Sequence, residues 1–223
     1  FILKSKSPSC ALKDAKVYPA GSEGSPLRRG PGFFGRAVTE TYPWAAAEDE
    51  GRLTNLRLRH RFLTHLWALA RLRRVEASGK MSELVRYHTS YKFLLMSLGP
   101  GVPARLGRIV ANPDRKSLPD LVAEYRSILG EVLASPPRTG NTVNALQHVF
   151  GYVSEGLSGD ERSLFLEMLE EFRHERLTLP AILAVLRSWA VRFEQDYLDA
   201  QFFFEPYPRP LFDLSSSGTG RLV

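Results

Sequence analysis

The sequence has 223 residues, of which 43% are hydrophobic and 24% are charged, with a formal net charge of +6. This composition is typical of a soluble globular protein, and no apolar run approaches the roughly 20 residues that cross a bilayer, so we expect a cytoplasmic protein without a membrane partner. The single cysteine excludes an intrachain disulfide and any metal site built from two local thiolates.

The first 54 residues are predicted to form short strands and one helix. Phe1-Ile2-Leu3 is an apolar run typical of a buried strand, and residues 15–18 predict a second strand. Residues 19–32 are rich in Gly, Pro and Ser and predict an exposed loop, which precedes a helix over residues 32–42 and a last strand over residues 44–47. This order is the back half of a small α/β unit, so we expect the natural protein to continue upstream of Phe1.

From residue 55 onward the apolar spacing is helical. It predicts one domain of about seven helices over residues 55–212, followed by a disordered tail over residues 213–223. A single helix is expected from Lys80 to Leu98, and Ser158-Gly-Asp-Glu161 is a capping box that begins another helix. The predicted fold class is therefore mainly α, with a multi-helix domain preceded by the C-terminal portion of a small α/β (Rossmann-like) domain.

Cys10 lies in a Ser-Pro-Ser-Cys turn just after the first predicted strand. Loops at the carboxyl ends of strands are where open α/β sheets bind ligands. A thiol on such a loop can be a nucleophile, a metal ligand or an inert buried residue, and free cysteine is among the most buried residue types. Composition alone leaves these three interpretations open.

Basic residues are concentrated near the start of the chain. Residues 1–80 contain 15 Lys and Arg against 7 Asp and Glu, a net of +8, and residues 81–223 have a net of −2. The segment from Arg52 to Arg74 contains no acidic residue. Arg57, Arg61 and Arg71 are candidate anion-binding residues for nucleic acid or a phosphorylated ligand. The alternative is a solvated helix flank whose arginine stems lie along apolar surface.

Two pairs of polar residues are each one helical turn apart, His88 with Lys92 and Asn144 with His148. Together with Gln147 they could converge on a small anionic or nucleobase-like ligand between two helices. The alternative is a hydrogen-bond network that fixes the register of those helices. Two histidines without a third ligand make a weak metal site.

Four motifs in the helical part resemble the YbgA-like family, whose role is not settled. They are Tyr87-His88-Thr-Ser-Tyr91-Lys92, Asn144-Ala-Leu-Gln147-His148-Val-Phe-Gly151-Tyr152, Leu179-Pro180-Ala-Ile-Leu and Gln201-Phe-Phe-Phe-Glu-Pro206-Tyr-Pro208. Their order covers residues 63–211. The resemblance implies an intact YbgA-like helical domain over residues 55–212.

The first 54 residues resemble the C-terminal section of thiouracil-desulfidase-like (TudS-like) domains, through Leu3-Lys4-Ser5-Lys6-Ser7-Pro8-Ser9-Cys10 and Glu50-Gly51-Arg52-Leu53. This resemblance implies a [4Fe-4S] cluster held by three cysteines, with an open iron that takes the sulfur of a thiolated pyrimidine base. Cys10 would be the third ligand, and Ser7 a proton-handling or substrate-positioning hydroxyl. The other two cysteines would lie upstream of Phe1, so residues 1–223 alone are expected to hold no cluster.

The predicted function is thus that of a fragment of an iron–sulfur-dependent desulfidase acting on bases such as 2-thiouracil, fused to a YbgA-like domain. The alternative from another class is a non-catalytic helical module that binds RNA, nucleotide or a protein partner through the basic segment between Arg52 and Arg74.

Overall fold

The computed structural model describes residues 1–19 and 25–212, and in these ranges the predicted mainly α fold class is confirmed. The predicted disordered tail, residues 213–223, lies outside the described residues. The helices of the described ranges are α1 (Phe33–Thr41), α2 (Leu56–Ser78), α3 (Met81–Ser90), α4 (Lys92–Leu98), α5 (Val102–Ala111), α6 (Leu118–Ala134), α7 (Thr139–Gly151), α8 (Gly159–Arg173), α9 (Leu179–Arg192) and α10 (Asp196–Asp199). Each is too short or too polar to cross a membrane.

Within the described ranges, four short strands form two separate ladders. The strands are β1 (Ile2–Leu3), β2 (Ala15–Val17), β3 (Arg28–Gly30) and β4 (Glu48–Asp49). β1 and β4 are parallel, with Ile2 opposite Glu48 and Leu3 opposite Asp49. β2 and β3 are antiparallel, with Lys16 opposite Arg29.

Two predictions about these strands were wrong. The last strand was expected at residues 44–47, but those residues turn, with the Ala45 N–H donating to the Tyr42 carbonyl at 2.9 Å, and the strand follows at Glu48–Asp49. The carboxylates of β4 are buried because they have partners, Arg52 for Glu48 and the Leu12 N–H for Asp49. Part of the predicted exposed loop is β3, which pairs with β2.

The helix expected from Lys80 to Leu98 is interrupted at Tyr91, which ends α3 and begins α4. The Tyr91 side chain is fully buried and stacks on Tyr87 with ring centroids 4.4 Å apart, and it also packs against Phe202. Burying this large ring fixes the backbone at the junction. α5 was not predicted, although Val102, Leu106 and Ile109 give it a helical apolar spacing and the last two are buried.

The chain divides into two compact units, and the described part of each has its own core. The first unit comprises residues 1–73 and 123–135 and the segment that begins at Tyr207, and the second comprises residues 74–122 and 136–206. Buried side chains of the first unit include Leu3, Leu58, Phe62, Leu72, Tyr125 and Leu129, and those of the second include Leu84, Phe93, Leu106, Leu146, Phe165 and Leu186. The domain boundary predicted between residues 54 and 55 stays a prediction.

Candidate functional site

Cys10 is half-buried in a loop over residues 4–14, which we call the Cys10 loop. Inside it the Ser7 Oγ accepts the Cys10 N–H at 3.2 Å and shares a hydrogen bond of 3.1 Å with the Ser9 Oγ. The Ser9 Oγ lies 3.4 Å from the Cys10 Sγ. The thiol therefore lies beside the Ser9 hydroxyl, which is itself hydrogen-bonded to the Ser7 hydroxyl.

The Cys10 loop is fastened to the beginning of α1. The N–H groups of Gly32, Phe33 and Phe34 donate to the carbonyls of Ala11, Pro8 and Ser9 at 2.8, 3.2 and 2.7 Å, respectively. The first N–H groups of a helix have no partner within that helix. These bonds therefore give partners both to N–H groups at the beginning of α1 and to carbonyl groups of the Cys10 loop. They also fix where the loop presents its thiol.

Two glycines permit this close approach. A Cβ atom at Gly32 would lie 2.4 Å from the Ser9 carbonyl carbon, and one at Gly35 would lie 2.2 Å from the Ala11 oxygen. Neither distance is possible for a real side chain. Sequence reasoning missed both residues, although two glycines three positions apart at a predicted helix start are a signal of close backbone packing.

Three carboxylates fasten the flanks of the Cys10 loop. Asp14 accepts the Lys6 N–H at 2.6 Å, Asp49 accepts the Leu12 N–H at 3.3 Å, and Glu50 accepts the Ser5 N–H at 2.8 Å. The hydrogen bond from Lys4, followed by that from the Ser5 N–H, lowers the pKa of Glu50 to about 2. Burial raises the pKa of Asp49.

Of the predicted anion-binding arginines, Arg57 is exposed, whereas Arg61 and Arg71 are half-buried, and all three lie on α2. The Arg61 guanidinium is 3.7 Å from the buried Glu48 carboxylate, so its charge is partly compensated inside the protein. Burial lowers the pKa of Arg61. The accessible positive charge on this helix is therefore at Arg57, Arg73 and Arg74, its exposed arginines.

The polar residues predicted to form a helical-domain site have different neighbours. His88 lies against α5, where a Cβ atom at Gly107 would be 3.3 Å from its Nε2, and burial lowers its pKa. The Lys92 Nζ lies over two aromatic rings, 5.3 Å from the Phe93 centroid and 5.7 Å from that of Tyr197. Asn144 is half-buried and His148 is exposed on α7. A single ligand contacted by all five stays a prediction.

Gln147, the fifth of these residues, lines an open groove of about 710 Å³. The other lining residues are Leu166, Glu167, Leu169, Glu170, Glu171 and Arg173, all on α8. Arg173 pairs with Glu170, and Arg176 pairs with Glu171 at 2.7 Å. Two of the three carboxylates in the groove are therefore already neutralised.

Two histidines on α2, the half-buried His60 and the buried His65, were not singled out from the sequence. The His60 Nδ1 lies 2.8 Å from the Tyr207 hydroxyl, and the His65 Nε2 lies 3.0 Å from the Trp44 carbonyl. Burial lowers the pKa of each histidine to about 4, so both are neutral at pH 7. Their spacing places them among the apolar stripes of α2, which is the signal that could have identified them as structural.

Comparisons with known proteins identify the helical part. A family model described as "Protein of unknown function (DUF1722)" matches residues 92–208. The chain is 27% identical over 158 residues to the uncharacterized protein YbgA of Escherichia coli (strain K12), an alignment that covers 70% of this chain and 93% of that relative. No solved structure matches the chain.

Proposed function

The chain belongs to the DUF1722 family of proteins of unknown function, and from this premise we propose that residues 1–54 add to that domain the thiolate-bearing part of an iron–sulfur desulfidase. The predicted YbgA-like resemblance of the helical part is confirmed by the similarity to the Escherichia coli protein. The proposed substrate of the whole protein is a thiolated pyrimidine base such as 2-thiouracil.

The observation that carries the proposal is the anchoring of the Cys10 loop. A lone structural cysteine needs only a buried position, but Cys10 is half-buried, and its loop is held by α1 and by the carboxylates of Asp14, Asp49 and Glu50. Side chains that bind metals or substrates need such fixed supports, because a ligand that moves by about 1 Å loses its geometry. The loop therefore has the rigidity expected of a ligand-presenting turn.

The chain by itself does not fit a complete cluster site. It has one cysteine, and its described residues contain no group of three or more His, Cys, Asp or Glu side chains that could hold a metal ion. Cys10 suits one thiolate position, and the other thiolates would have to come from polypeptide outside these 223 residues. A bound cluster would supply a Lewis-acidic iron towards a soft sulfur atom.

Ser7 and Ser9 have distinct proposed roles. The Ser7 hydroxyl holds the turn closed through the Cys10 N–H, so we assign it the positioning of the thiol. The Ser9 hydroxyl, between Ser7 and the Cys10 Sγ, can carry a proton from one to the other. Ser7→Ala should therefore weaken Cys10 presentation, whereas Ser9→Ala should interrupt only the hydroxyl chain.

The test uses the anaerobically purified gene product that contains residues 1–223. We expect iron and acid-labile sulfide in the wild type and sulfide release from 2-thiouracil, and loss of both in Cys10→Ser, which keeps the turn but removes the thiolate. Ser82→Ala, at an exposed serine of α3, is the control and should change neither. An iron-free wild type, or full iron in Cys10→Ser, would overturn the proposal.

A second candidate function is nucleic-acid binding by α2. The observation that favours it is the exposure of Arg57, Arg73 and Arg74 on a segment without acidic residues. Contacts between arginines and phosphates release counterions, so this binding should weaken steeply as salt rises. The triple variant Arg57→Gln, Arg73→Gln, Arg74→Gln should lose it. Binding that ignores salt, or survives the three substitutions, would contradict this candidate.

A further inference from the structure

A lysine and three aromatic rings of the second unit form a cluster around the beginning of α4. Lys92 and Phe93 are the first residues of α4, Tyr152 directly follows α7, and Tyr197 lies in α10. Tyr152 and Tyr197 are stacked, with centroids 5.4 Å apart and 27° between their planes. Phe93 meets both edge-on at 5.8 and 6.1 Å.

The Lys92 ammonium is held by these rings and not by an opposite charge. Its Nζ lies over Phe93 and Tyr197, and within residues 1–19 and 25–212 it has neither an ion pair nor a hydrogen bond. A lysine with no anionic neighbour keeps its three donors for water or for a bound anion. The rings restrict where that charge can move.

The tyrosine stack continues to the surface. Phe93 is fully buried and forms the base of the cluster, Tyr197 is half-buried, and Tyr152 is 41% exposed. An exposed tyrosine that is backed by a second, stacked ring is held in a fixed orientation. Such a ring is a platform on which another flat ring can stack, as bases stack on aromatic side chains in single-stranded nucleic-acid binding.

Two hydrogen-bonding side chains lie in one row with Tyr152 along α7. Tyr152 keeps helical backbone angles, φ −74° and ψ −21°, so Asn144, His148 and Tyr152 occur at intervals of four residues in one row. His148 is exposed and Asn144 half-buried. α4 packs against α7, and at the far end of α4 the Asn141 Nδ2 donates to the Leu98 carbonyl at 3.3 Å. The packing fixes the lysine relative to this row.

From this arrangement we propose that Lys92, Tyr152 and Tyr197 bind a nucleoside monophosphate, with the base stacked on Tyr152 and the phosphate at the Lys92 ammonium. His148 and Asn144 are the side chains placed to contact the edge of the base or the sugar. A flat ring with a negative group is the ligand class that uses both the exposed ring and the uncompensated charge. The site requires only residues of the second unit and does not rest on the proposed desulfidase activity.

Equilibrium dialysis with uridine monophosphate, and with uridine as the uncharged comparison, tests the proposal. Lys92→Met should weaken binding of the monophosphate about tenfold and leave binding of uridine unchanged, whereas Tyr152→Leu should weaken both about tenfold. Lys92→Arg and Tyr152→Phe keep the charge and the ring and should retain binding. Lys80→Met and Tyr18→Leu, at exposed positions, are the matched controls.

Two results would overturn the proposal. One is the absence of wild-type binding at millimolar monophosphate, and the other is equal binding by the wild type, Lys92→Met and Tyr152→Leu. Unchanged circular dichroism and thermal midpoints identify variants that remain folded, and Lys92→Arg and Tyr152→Phe keep the test decisive if a more drastic variant unfolds. Sulfide release from 2-thiouracil, measured on the same variants, separates failure of this site from failure of the proposed function.

Discussion

Gly35 is the residue at which the Cys10 loop and α1 approach most closely. A methyl group there would overlap the Ala11 carbonyl oxygen, and the three atoms nearest to it all belong to the backbone of Cys10 and Ala11, so no flexible side chain can move away to make room. We expect Gly35→Ala to destabilise the protein by about 3 kcal/mol and to displace the loop, which should speed the reaction of Cys10 with Ellman's reagent.

The control for this prediction is Gly140→Ala near the beginning of α7, where nothing lies within 4 Å of the added Cβ atom. Because alanine is the better helix former, that variant should be unchanged or slightly more stable. Urea unfolding and the thiol reaction rate together measure the effect. Equal stability of the two variants would mean that the loop tolerates a shift of its backbone.

Asp49 and Glu50 are adjacent carboxylates whose effects on stability should have opposite pH dependence. Glu50, with a pKa of about 2 against an ordinary 4.5, stabilises the fold above pH 4.5, and this contribution disappears as the pH falls towards 2. The pKa of Asp49 is raised, so its effect on stability depends on pH in the opposite direction. Its contribution is present below its ordinary pKa of 3.8 and is lost as the pH rises.

Urea unfolding at pH 3, 5 and 7 distinguishes these two carboxylates. Glu50→Gln should be destabilising at pH 7 and approach the wild type at pH 3, whereas Asp49→Asn should gain stability relative to the wild type as the pH rises. The Leu12 N–H keeps an acceptor in Asp49→Asn, so the comparison isolates the charge. Parallel pH curves for both variants would contradict the assignment.

At the residue scale, the sequence predicted which side chains carry reactive groups but not which residues hold those side chains in position. Ser7 and Cys10 were singled out because a Ser-Pro-Ser-Cys turn is a local pattern. Gly35 and Asp49 were not, because their importance comes from contacts with residues far along the chain. The glycine spacing can indicate close backbone packing, but it does not report which distant backbone atoms will meet.

α8 begins with a capping box. The Ser158 Oγ accepts the Glu161 N–H at 3.2 Å and the Glu161 carboxylate accepts the Ser158 N–H at 2.7 Å, which confirms the predicted capping box. Ser158→Ala should cost about 1 kcal/mol of unfolding free energy. Ser163→Ala, at an exposed position within α8, should be neutral or slightly stabilising in the same chemical denaturation assay.

Because α2 contains His65, we expect the protein to lose stability on mild acidification. His65 is buried and its pKa is about 4, whereas an unfolded histidine has a value near 6.5, so the unfolded state takes up the proton first. The stability from this residue is complete above pH 6.5 and falls by about 3 kcal/mol as the pH drops to 4.

His65→Gln should remove that part of the pH dependence, and His174→Gln, at an exposed position, should not. Free energies of unfolding between pH 4 and 7 are the measurement. A wild type and a His65→Gln variant with the same slope would show that the buried imidazole is protonated without cost.

At the element scale, helix type was predictable and helix interruption was not. The repeating apolar positions after residue 55 follow the period of a helix, and that period depends only on nearby residues. The break at Tyr91 depends on a ring that packs against Phe202, more than a hundred residues later. The strand at Arg28–Gly30 likewise exists because Ala15–Val17 pairs with it, not because of its own composition.

Over the described part of the molecule, exposed large apolar side chains are concentrated near the start of the chain. Half of them fall within its first 42 residues, namely Phe1, Ile2, Tyr18, Leu27, Phe33, Phe34 and Tyr42. Phe33 and Leu27 are the most exposed, at 84% and 71%. Apolar surface of this kind favours association, so we expect the 223-residue chain to self-associate at high concentration.

Phe33→Ser combined with Leu27→Ser should reduce this association in sedimentation velocity without lowering the thermal midpoint. Leu164→Ser, at an exposed leucine of α8, should have a smaller effect, because fewer exposed apolar residues precede and follow it. If Phe33→Ser combined with Leu27→Ser left the distribution of sedimenting species unchanged, the exposed apolar residues of the first unit would not be the associating surface.

The fastening of the Cys10 loop has a consequence for the order of events during translation. Glu50 follows its partner Ser5 by 45 residues, and Asp49 follows Leu12 by 37. At about 5–20 residues per second, a nascent chain extends for several seconds with its sulfhydryl in a segment that still lacks these two hydrogen bonds. A maturation step that requires a flexible segment around the sulfhydryl would therefore take place during translation, before Asp49 and Glu50 emerge from the ribosome.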